Sequence, residues 1–404
     1  MATKVYVEPS GRRIEPFGDT PGQVPIQNRL LADWQEEMIE DAGLERIANP
    51  TPPCLLVPDT LFTNGVVLRR FVEQAGGRNA VLVLRDSVFA RTTTPVQPLV
   101  VRCDDGFRFA AVRFLSGGDE PATDVPCDPE EKTIPIPAPA ALTGGKAIEL
   151  ALARHPVITV HHWVHILWAN QAAAGMLARQ ASAARFALRV AWLSVRVLSL
   201  NRWRWLGKAN KIGRGCNIHP TALIEGSTLE DNVTVGAFAR VLFSRVGRGA
   251  MVMAGAQVEA SVLGESATVG QDATIRLCVL YPGSLAGQWL MQMCVFGRDA
   301  VTFPGGFTLD FNLDRDARVR LDGISQSSGT RFLGSAFGHG CRVGAGTWLA
   351  QGRMIPNGVL IVRSPDLMIS RIPADLPAGV PLANHKGTLR PLRLWHGMPS
   401  KKEP

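Results

Sequence analysis

The sequence predicts an α/β domain followed by a parallel β-solenoid, and three observations carry that prediction. From Ile212 the aliphatic residues fall at Ile218, Ile224, Leu229, Val235, Val241, Val246, Val252, Val258, Leu263, Val269, Ile275 and Leu280, in steps of six, six and five. Each cycle is therefore 17 residues, and all thirteen positions are Ile, Val or Leu. A second register two residues before these steps (Cys216, Ala222, Ser227, Val233, Ala239, Ser244, Ala250, Ala256, Ser261, Ala267, Ala273, Cys278) holds small side chains, Val233 the largest of them. Neither the 3.6-residue period of a helix nor the two-residue period of a half-buried strand produces this. Lastly, the first 125 residues alternate apolar strand-like runs with segments of helical spacing, which argues for strands and helices in layers.

The solenoid comes first because its repeat is dense. In a three-sided coil the aliphatic residue points inward and stacks on its equivalent one coil along, the small residue fits the corner, and Gly213, Gly236, Gly247, Gly264 and Gly270 mark turns. Coils stack at the strand spacing of about 4.8 Å and form three parallel sheets. The register lapses after Leu280 and returns at Phe337, Val343, Leu349 and Ile355. An insertion is expected at about 282–331, with strands FTLDFNL and ARVRL around a turn at Asp314 to Asp316. The Pro-rich segment 364–404 reads as an extension.

In the N-terminal half, VYV, PCLLVPD and AVLVLRD read as strands, while LLADWQEEMIEDAGL and NGVVLRRFVEQAGG read as helices with glycine stops. The expected sheet is parallel. The expected boundaries are 1–170 for the α/β domain, 171–206 for a helical arm and 207–363 for the solenoid.

Composition excludes several classes. With 46% hydrophobic and 19% charged residues, the chain has material for a sizeable core and is not disordered. A formal charge of +8, from 43 basic against 35 acidic residues, suits an anionic ligand and is no nucleic-acid signature. Seven scattered Cys without a CxxC argue for a reducing, cytoplasmic setting and against a zinc site. The opening MATKVYVEPSGRR has no secretory apolar region, and no run of 18 uncharged apolar residues occurs.

The 17-residue pattern resembles the hexapeptide repeat of left-handed parallel β-helix proteins. The stretch GRRIEPFGDTPGQVPIQNRLLADWQEEMIEDAGLERI, together with PCLLVPDTLF, resembles the opening of sugar-phosphate nucleotidyltransferases. The combined layout resembles the bifunctional N-acetylglucosamine-1-phosphate uridyltransferase/glucosamine-1-phosphate acetyltransferase family. That resemblance implies a Rossmann-like, nucleotidyltransferase-like domain fused to a left-handed β-helix, a homotrimer, and sugar or sugar-nucleotide substrates. It implies nucleotide contacts at Gly11, Arg12 and Arg13, and Mg²⁺ at Asp59 if the N-terminal domain is active. The loop EPSGRR departs from the family's glycine-rich pattern, and Glu8 faces where a triphosphate would lie. The domain is therefore expected to be degenerate for nucleotidyl transfer.

For the β-helix, the resemblance implies acetyl-CoA or another acyl-CoA as co-substrate and an outward histidine as general base. His339, in SAFGHGCRVGAGTW, is that candidate. Gly338 and Gly340 would let a substrate approach the backbone, and Trp348 would stack on it or pack in a trimer. His219, in the NIHPTA coil, reads as structural. His161 and His165 lie four apart on a helix, where a hydrogen-bonded or exposed pair is favoured over a metal site for want of a third ligand. HHWVHILWAN also resembles the linker between the fused domains. Residues 183–206, with Arg185, Arg189, Arg196, Trp203 and Trp205, suit packing more than peripheral membrane contact. The readings that follow are an acyltransferase, a non-catalytic scaffold or ligand sensor, and a sugar-1-phosphate nucleotidyltransferase.

Overall fold

The computed structural model describes residues 3–136, 148–179, 207, 209–287 and 289–392. The arm segment 183–206, on which the membrane-contact expectation rests, lies outside them. Among the described residues no helix is long and apolar enough to cross a membrane.

The N-terminal domain is a mixed sheet with helices. Across it the strands run Thr123–Cys127, Ala80–Arg85, Gly106–Leu115, Cys54–Pro58, Lys4–Glu8 and Glu45–Arg46, with Val100–Cys103 pairing on Gly106–Leu115. The expected parallel sheet is thus corrected. Gly106–Leu115 runs antiparallel to Cys54–Pro58 and Ala80–Arg85 in the middle of the sheet. The cause is local: a tight turn at Asp104–Asp105 sends the chain straight back along Val100–Cys103, and a short connection makes neighbours antiparallel. Gly106 sits at φ +146° with Leu84 O 2.1 Å from where a Cβ would stand, so no side chain fits there. Helices α1 (Leu31–Ala42), α2 (Gly65–Ala75) and α3 (Val88–Thr93) follow strands, and α4 (Trp163–Arg179) leads toward the second domain.

The second domain is a parallel β-helix of stacked coils. One sheet takes Lys211–Ile212, Thr228–Leu229, Arg245–Val246, Val262–Leu263, Val279–Leu280, Val295–Phe296, Ala336–Phe337 and Met354–Ile355 in that order. A second sheet of eight strands begins at Asn217–Ile218, and a third of five begins at Leu223–Glu225. The inward residues form a continuous apolar column. At one corner, residues at positive φ (Phe243, Ala260, Leu277) turn the chain, and the small residue after each continues a ladder. Ser244 N donates to Ser227 Oγ at 3.1 Å, Ser261 N to Ser244 Oγ at 3.1 Å and Cys278 N to Ser261 Oγ at 3.0 Å. The small register thus satisfies backbone donors that the corner would otherwise bury unpaired.

The coils run beyond Leu280, which corrects the insertion at 282–331. Strands Leu285–Ala286, Val295–Phe296 and Val301–Thr302 pair with coils on both sides, Leu290–Gln292 pairs with the coil before it and Phe307–Thr308 with the coil after. Sequence periodicity missed them because Ala286, Met291, Phe296 and Thr302 replace the branched aliphatics and one coil is a residue short. Phe296 and Phe337 stack inside the column with centroids 4.4 Å apart. The excursion is confined to 309–335. Its hairpin pairs Arg318–Leu321 with Ile324–Ser327 around Asp322 (φ +50°) and Gly323 (φ +79°), not around Asp314 to Asp316. Two residues at positive φ make the hairpin turn whose twist matches its strands.

The domains share one core. Val279, Tyr281, Met293, Val295, Leu333 and Ala336 of the β-helix pack with Trp163, Val164, Leu167 and Trp168 of α4. Outward positions of the first sheet change along the stack from Lys211, Thr228 and Arg245 to Val262, Val279 and Val295, and the covered end is the apolar one. Val262 and Val279 are buried and Leu277 is half-buried within the chain, whereas Trp348 is 68% exposed. Val279→Asp therefore puts an unpaired carboxylate into the seam and should cost at least about 3 kcal/mol. Thr228→Asp, at the equivalent position of an uncovered coil, should stay within about 0.5 kcal/mol. Urea denaturation of the two variants checks the pair.

Candidate functional site

The domains meet in a polar cluster built from two coil corners and one tight loop. In the loop, Gly18 N donates to Ile14 O at 2.8 Å and Ile14 N to Asp19 O at 2.9 Å, which curls Ile14–Asp19 toward the β-helix. Asn357 Nδ2 holds it by donating to Phe17 O at 2.7 Å. On the β-helix, Gly297 and Gly338 let successive corners stack. A Cβ on Gly297 would stand 2.6 Å from His339 Nδ1, so the imidazole lies over this backbone only because no side chain is present.

His339 projects from its coil corner toward the N-terminal domain. Arg298 N–H donates to its Nδ1 at 2.8 Å, and Arg298 Nη2 lies 2.8 Å from its Nε2. Nε2 faces the Asp19 carboxylate at 3.2 Å from each oxygen. Arg298 donates to the same carboxylate, with Nη1 3.3 Å from Oδ2 and Nη2 closing on Oδ1. Asp19 is only 4% exposed. Burial on its own would push this carboxyl up, but the hydrogen bonds and charges of His339 and Arg298 outweigh it and hold the carboxyl below its ordinary value. Phe17, Tyr281 and His339 pack as a ring cluster, with centroids 5.2 to 5.6 Å apart.

Beside this cluster opens a cleft of about 380 Å³ between the domains. Gln23, Asn28 and Arg29 line it from the N-terminal side, and Glu230, Arg248, Glu265, Tyr281 and Arg298 from the β-helix. Asn28 Nδ2 fastens one rim by donating to Leu263 O at 2.8 Å. Arg29 lies over the Trp34 ring at 4.4 Å and pairs with Glu37 at 2.6 Å. Tyr281 is 1% exposed, and its hydroxyl has no hydrogen-bond partner.

The other sequence-predicted residues fall elsewhere. Arg12 reaches the excursion hairpin and pairs with Asp322 at 3.0 Å, while Arg13 donates to Gly18 O at 3.2 Å. Gly11 is exposed beside them. Asp59 follows Cys54–Pro58, with its Oδ1 buried and unpartnered. Gly338 and Gly340 flank His339, with Gly338 packed on the Asn357 backbone, and Trp348 stands apart in a ladder with Phe307 and Trp289. His219 Nδ1 bonds Thr221 Oγ1 at 2.8 Å within its own coil. Sequence reasoning missed Asp19, Arg298 and Asn357. No local motif ties position 19 to 298 or 339, and only the docking of the domains joins them.

His161, His162 and His165 are buried at the start of α4. His165 Nδ1 accepts from the backbone N–H of His161 and of His162 at 3.1 Å, and its Nε2 donates to Pro95 O at 2.9 Å. No group of three potential ligands able to hold a metal occurs among the described residues. Asn170, in the linker-like segment, accepts from Gln27 N at 2.7 Å and donates to Pro25 O at 3.0 Å, so this stretch fastens the loop at the cleft.

No protein-family profile and no curated protein matches the chain. Among solved structures that do match is a provisionally assigned acetyltransferase from Bacillus cereus, at 16% identity and a TM-score of 0.15, covering 38% of this chain and 77% of that one. That likeness carries no weight here, and the β-helix rests on its own strand pairing.

Two pH dependences follow. Burial, aided for His161 and His162 by the neighbouring His165, holds these rings at about 3, 3 and 4 for His161, His162 and His165. The unfolded chain takes up their protons near 6.5, so this stability is complete above about pH 6.5 and is lost as pH falls toward the folded values. Each ring removes up to about 1.4 kcal/mol per pH unit. Urea midpoints should therefore drop between pH 7 and 5, and His161→Leu should flatten the drop by about a third. Asp19 adds a second window. Its lowered carboxyl stabilises the fold fully above about pH 3.9, and that contribution vanishes as pH falls through the folded value. The stability gap between wild type and Asp19→Asn should shrink below about pH 3.9 in the same measurement.

Proposed function

We propose that the chain is a two-domain ligand-binding protein that takes an anionic sugar derivative, a sugar phosphate or sugar nucleotide, in the cleft between its domains. It combines a degenerate nucleotidyltransferase-like domain with a β-helix of the left-handed hexapeptide kind, assembled as a homotrimer through the exposed faces that carry Phe238, Phe243 and Trp348. One observation carries the reading: the residues expected to do chemistry are engaged in holding the domains together. Arg12 pairs with Asp322, and both nitrogens of His339 are taken, one by the Arg298 backbone and one by Asp19. General-base catalysis needs a free lone pair, which this imidazole lacks. The cleft keeps what binding needs. Arg29, Arg248 and Arg298 outnumber Glu230 and Glu265 in its lining and attract phosphate, Asn28 and Gln23 offer amide groups for hydroxyls, and a Tyr281 wall lies behind.

Mg²⁺ at Asp59 does not fit this site. Asp59 Oδ1 is unpartnered, but no ligand cluster surrounds it among the described residues, and Glu8 turns to Arg113 at 3.8 Å.

A second reading is an acyl-CoA-dependent acyltransferase acting on a sugar or sugar nucleotide, favoured by the carboxylate–imidazole pair of Asp19 and His339 at the cleft's edge. It requires Asp19 to leave and the ring to turn. His339 would then take a proton from the acceptor hydroxyl or amine as that group attacks the thioester carbonyl and the CoA thiolate departs. Calorimetry of the purified chain with sugar phosphates, sugar nucleotides and acetyl-CoA separates the two. The binding reading expects a sugar nucleotide to bind, Arg248→Ala to weaken it about tenfold or more, and no CoA thiol to be released. Thiol release that depends on acceptor and is lost in His339→Ala would replace it with the acyltransferase.

A further inference from the structure

The inner end of the cleft is closed by a carboxylate that belongs to the chain. Asp19 comes from the N-terminal loop and is gripped by groups of the β-helix, two guanidinium nitrogens of Arg298 and Nε2 of His339. We infer that Asp19 is an internal occupant of a phosphoryl-binding site: a ligand phosphoryl group competes with it for Arg298 and His339, and ligand entry releases the Ile14–Asp19 loop. This rests on the reading above, that the cleft takes a phosphorylated ligand, and adds how its binding is regulated.

Four features support the competition. Arg298 belongs to both places at once, since its side chain lines the cleft and is 45% exposed while its tip holds a buried carboxylate. The backbone of Arg298 fixes the His339 ring, whose Nε2 lies 3.2 Å from each Asp19 oxygen and 2.8 Å from Arg298 Nη2, so imidazole and guanidinium face one anion together. Donors gathered on two oxygens of one anion match a phosphoryl group as well as a carboxylate. The hydroxyl of Tyr281, buried in the same wall without a partner, is a further donor that Asp19 leaves unused. The loop that carries Asp19 is short and lies outside the sheet, and it is held to the β-helix beyond this carboxylate by Asn357 on Phe17 O and by the Phe17 ring on Tyr281. Ile14 and Phe17 are buried in the shared core, so release of the loop uncovers them, which amide exchange reads directly.

A site occupied by its own carboxylate binds an external anion with an affinity reduced by the fraction of molecules in which the site is free. Removing the charge of Asp19 should therefore tighten binding. The experiment titrates inorganic pyrophosphate and UDP-N-acetylglucosamine into the full chain as wild type, Asp19→Asn and Arg298→Gln. Asp19→Asn should bind both at least about tenfold more tightly than wild type, and Arg298→Gln should bind neither measurably. In wild type, saturating ligand should speed amide hydrogen exchange in residues 14–20, a readout that decides the matter even where Asp19→Asn fails to fold. Unchanged or weaker binding by a folded Asp19→Asn, or slower or unchanged exchange in 14–20, overturns the inference. The two readings also fail differently. If UDP-N-acetylglucosamine binds wild type and Asp19→Asn equally well, the ligand stands and the competition falls. If Asp19→Asn gains pyrophosphate affinity but the sugar nucleotide binds no better than pyrophosphate, the competition stands and the sugar ligand falls.

Discussion

Stacking coils in parallel fixes where every outward side chain can go. Each coil places one outward residue per strand directly over its equivalent in the coil before, so a face of the solenoid is a column of chosen residues. On the first sheet that column begins with Lys211, Thr228 and Arg245, continues with the buried Val262, Val279, Val295 and Ala336, and closes on the partly buried Met354. An apolar column of four coils cannot be left in water without cost, and the N-terminal domain covers it with α4. The position of that domain follows, and with it the meeting of Asp19 with the corners that carry Arg298 and His339. The polar cluster is in this sense a consequence of an apolar one.

The same constraint explains why the corners are chemically rich. A coil corner turns its backbone through positive φ, and at the corner that carries Arg298 and His339 this conformation falls on glycine, asparagine, serine or aspartate (Gly215, Asn232, Gly249, Ser266, Gly283, Asp299, Gly340). Arg298 and His339 occupy equivalent corners of neighbouring coils, and absent side chains at Gly297 and Gly338 bring them within hydrogen-bond distance. The buried carboxylate of Asp19 contributes little by being paired and costs much when unpaired, because it is compensated only while Arg298 and His339 both face it. It specifies how the domains dock more than it holds them together.

The legibility of this molecule in its sequence follows the range of each interaction. The repeat was readable over 212–280 because every coil repeats one physical requirement at a fixed spacing. It failed from Ala286 to Thr308, where the requirement is unchanged but Met, Phe and Thr meet it in place of Ile, Val and Leu. The first sheet's shift from polar to apolar outward residues was also present in the text, and it marks the covered end. The antiparallel central strand was signalled by the alternation in GFRFAAVRFL after a two-residue turn, a period-two pattern that strand–helix alternation overrode. His339 was readable as a special residue because glycines flank it. Its partner was not, since Asp19 lies 320 positions away and no local pattern encodes a contact across a domain seam.

The way His339 is held bears on what such a residue can do. An imidazole at a coil corner is a base only when one ring nitrogen has both a lone pair and access to the substrate. Here the neighbouring coil supplies a backbone N–H to Nδ1, and a backbone donor cannot reverse its role. The other nitrogen, Nε2, lies 2.8 Å from Arg298 Nη2 and 3.2 Å from each Asp19 oxygen, so neither ring nitrogen is open to a substrate while Asp19 is in place. Guanidinium and imidazole face the one carboxylate together. Stacking sets the ring's orientation, and that orientation gathers both groups at one corner around a single negative charge.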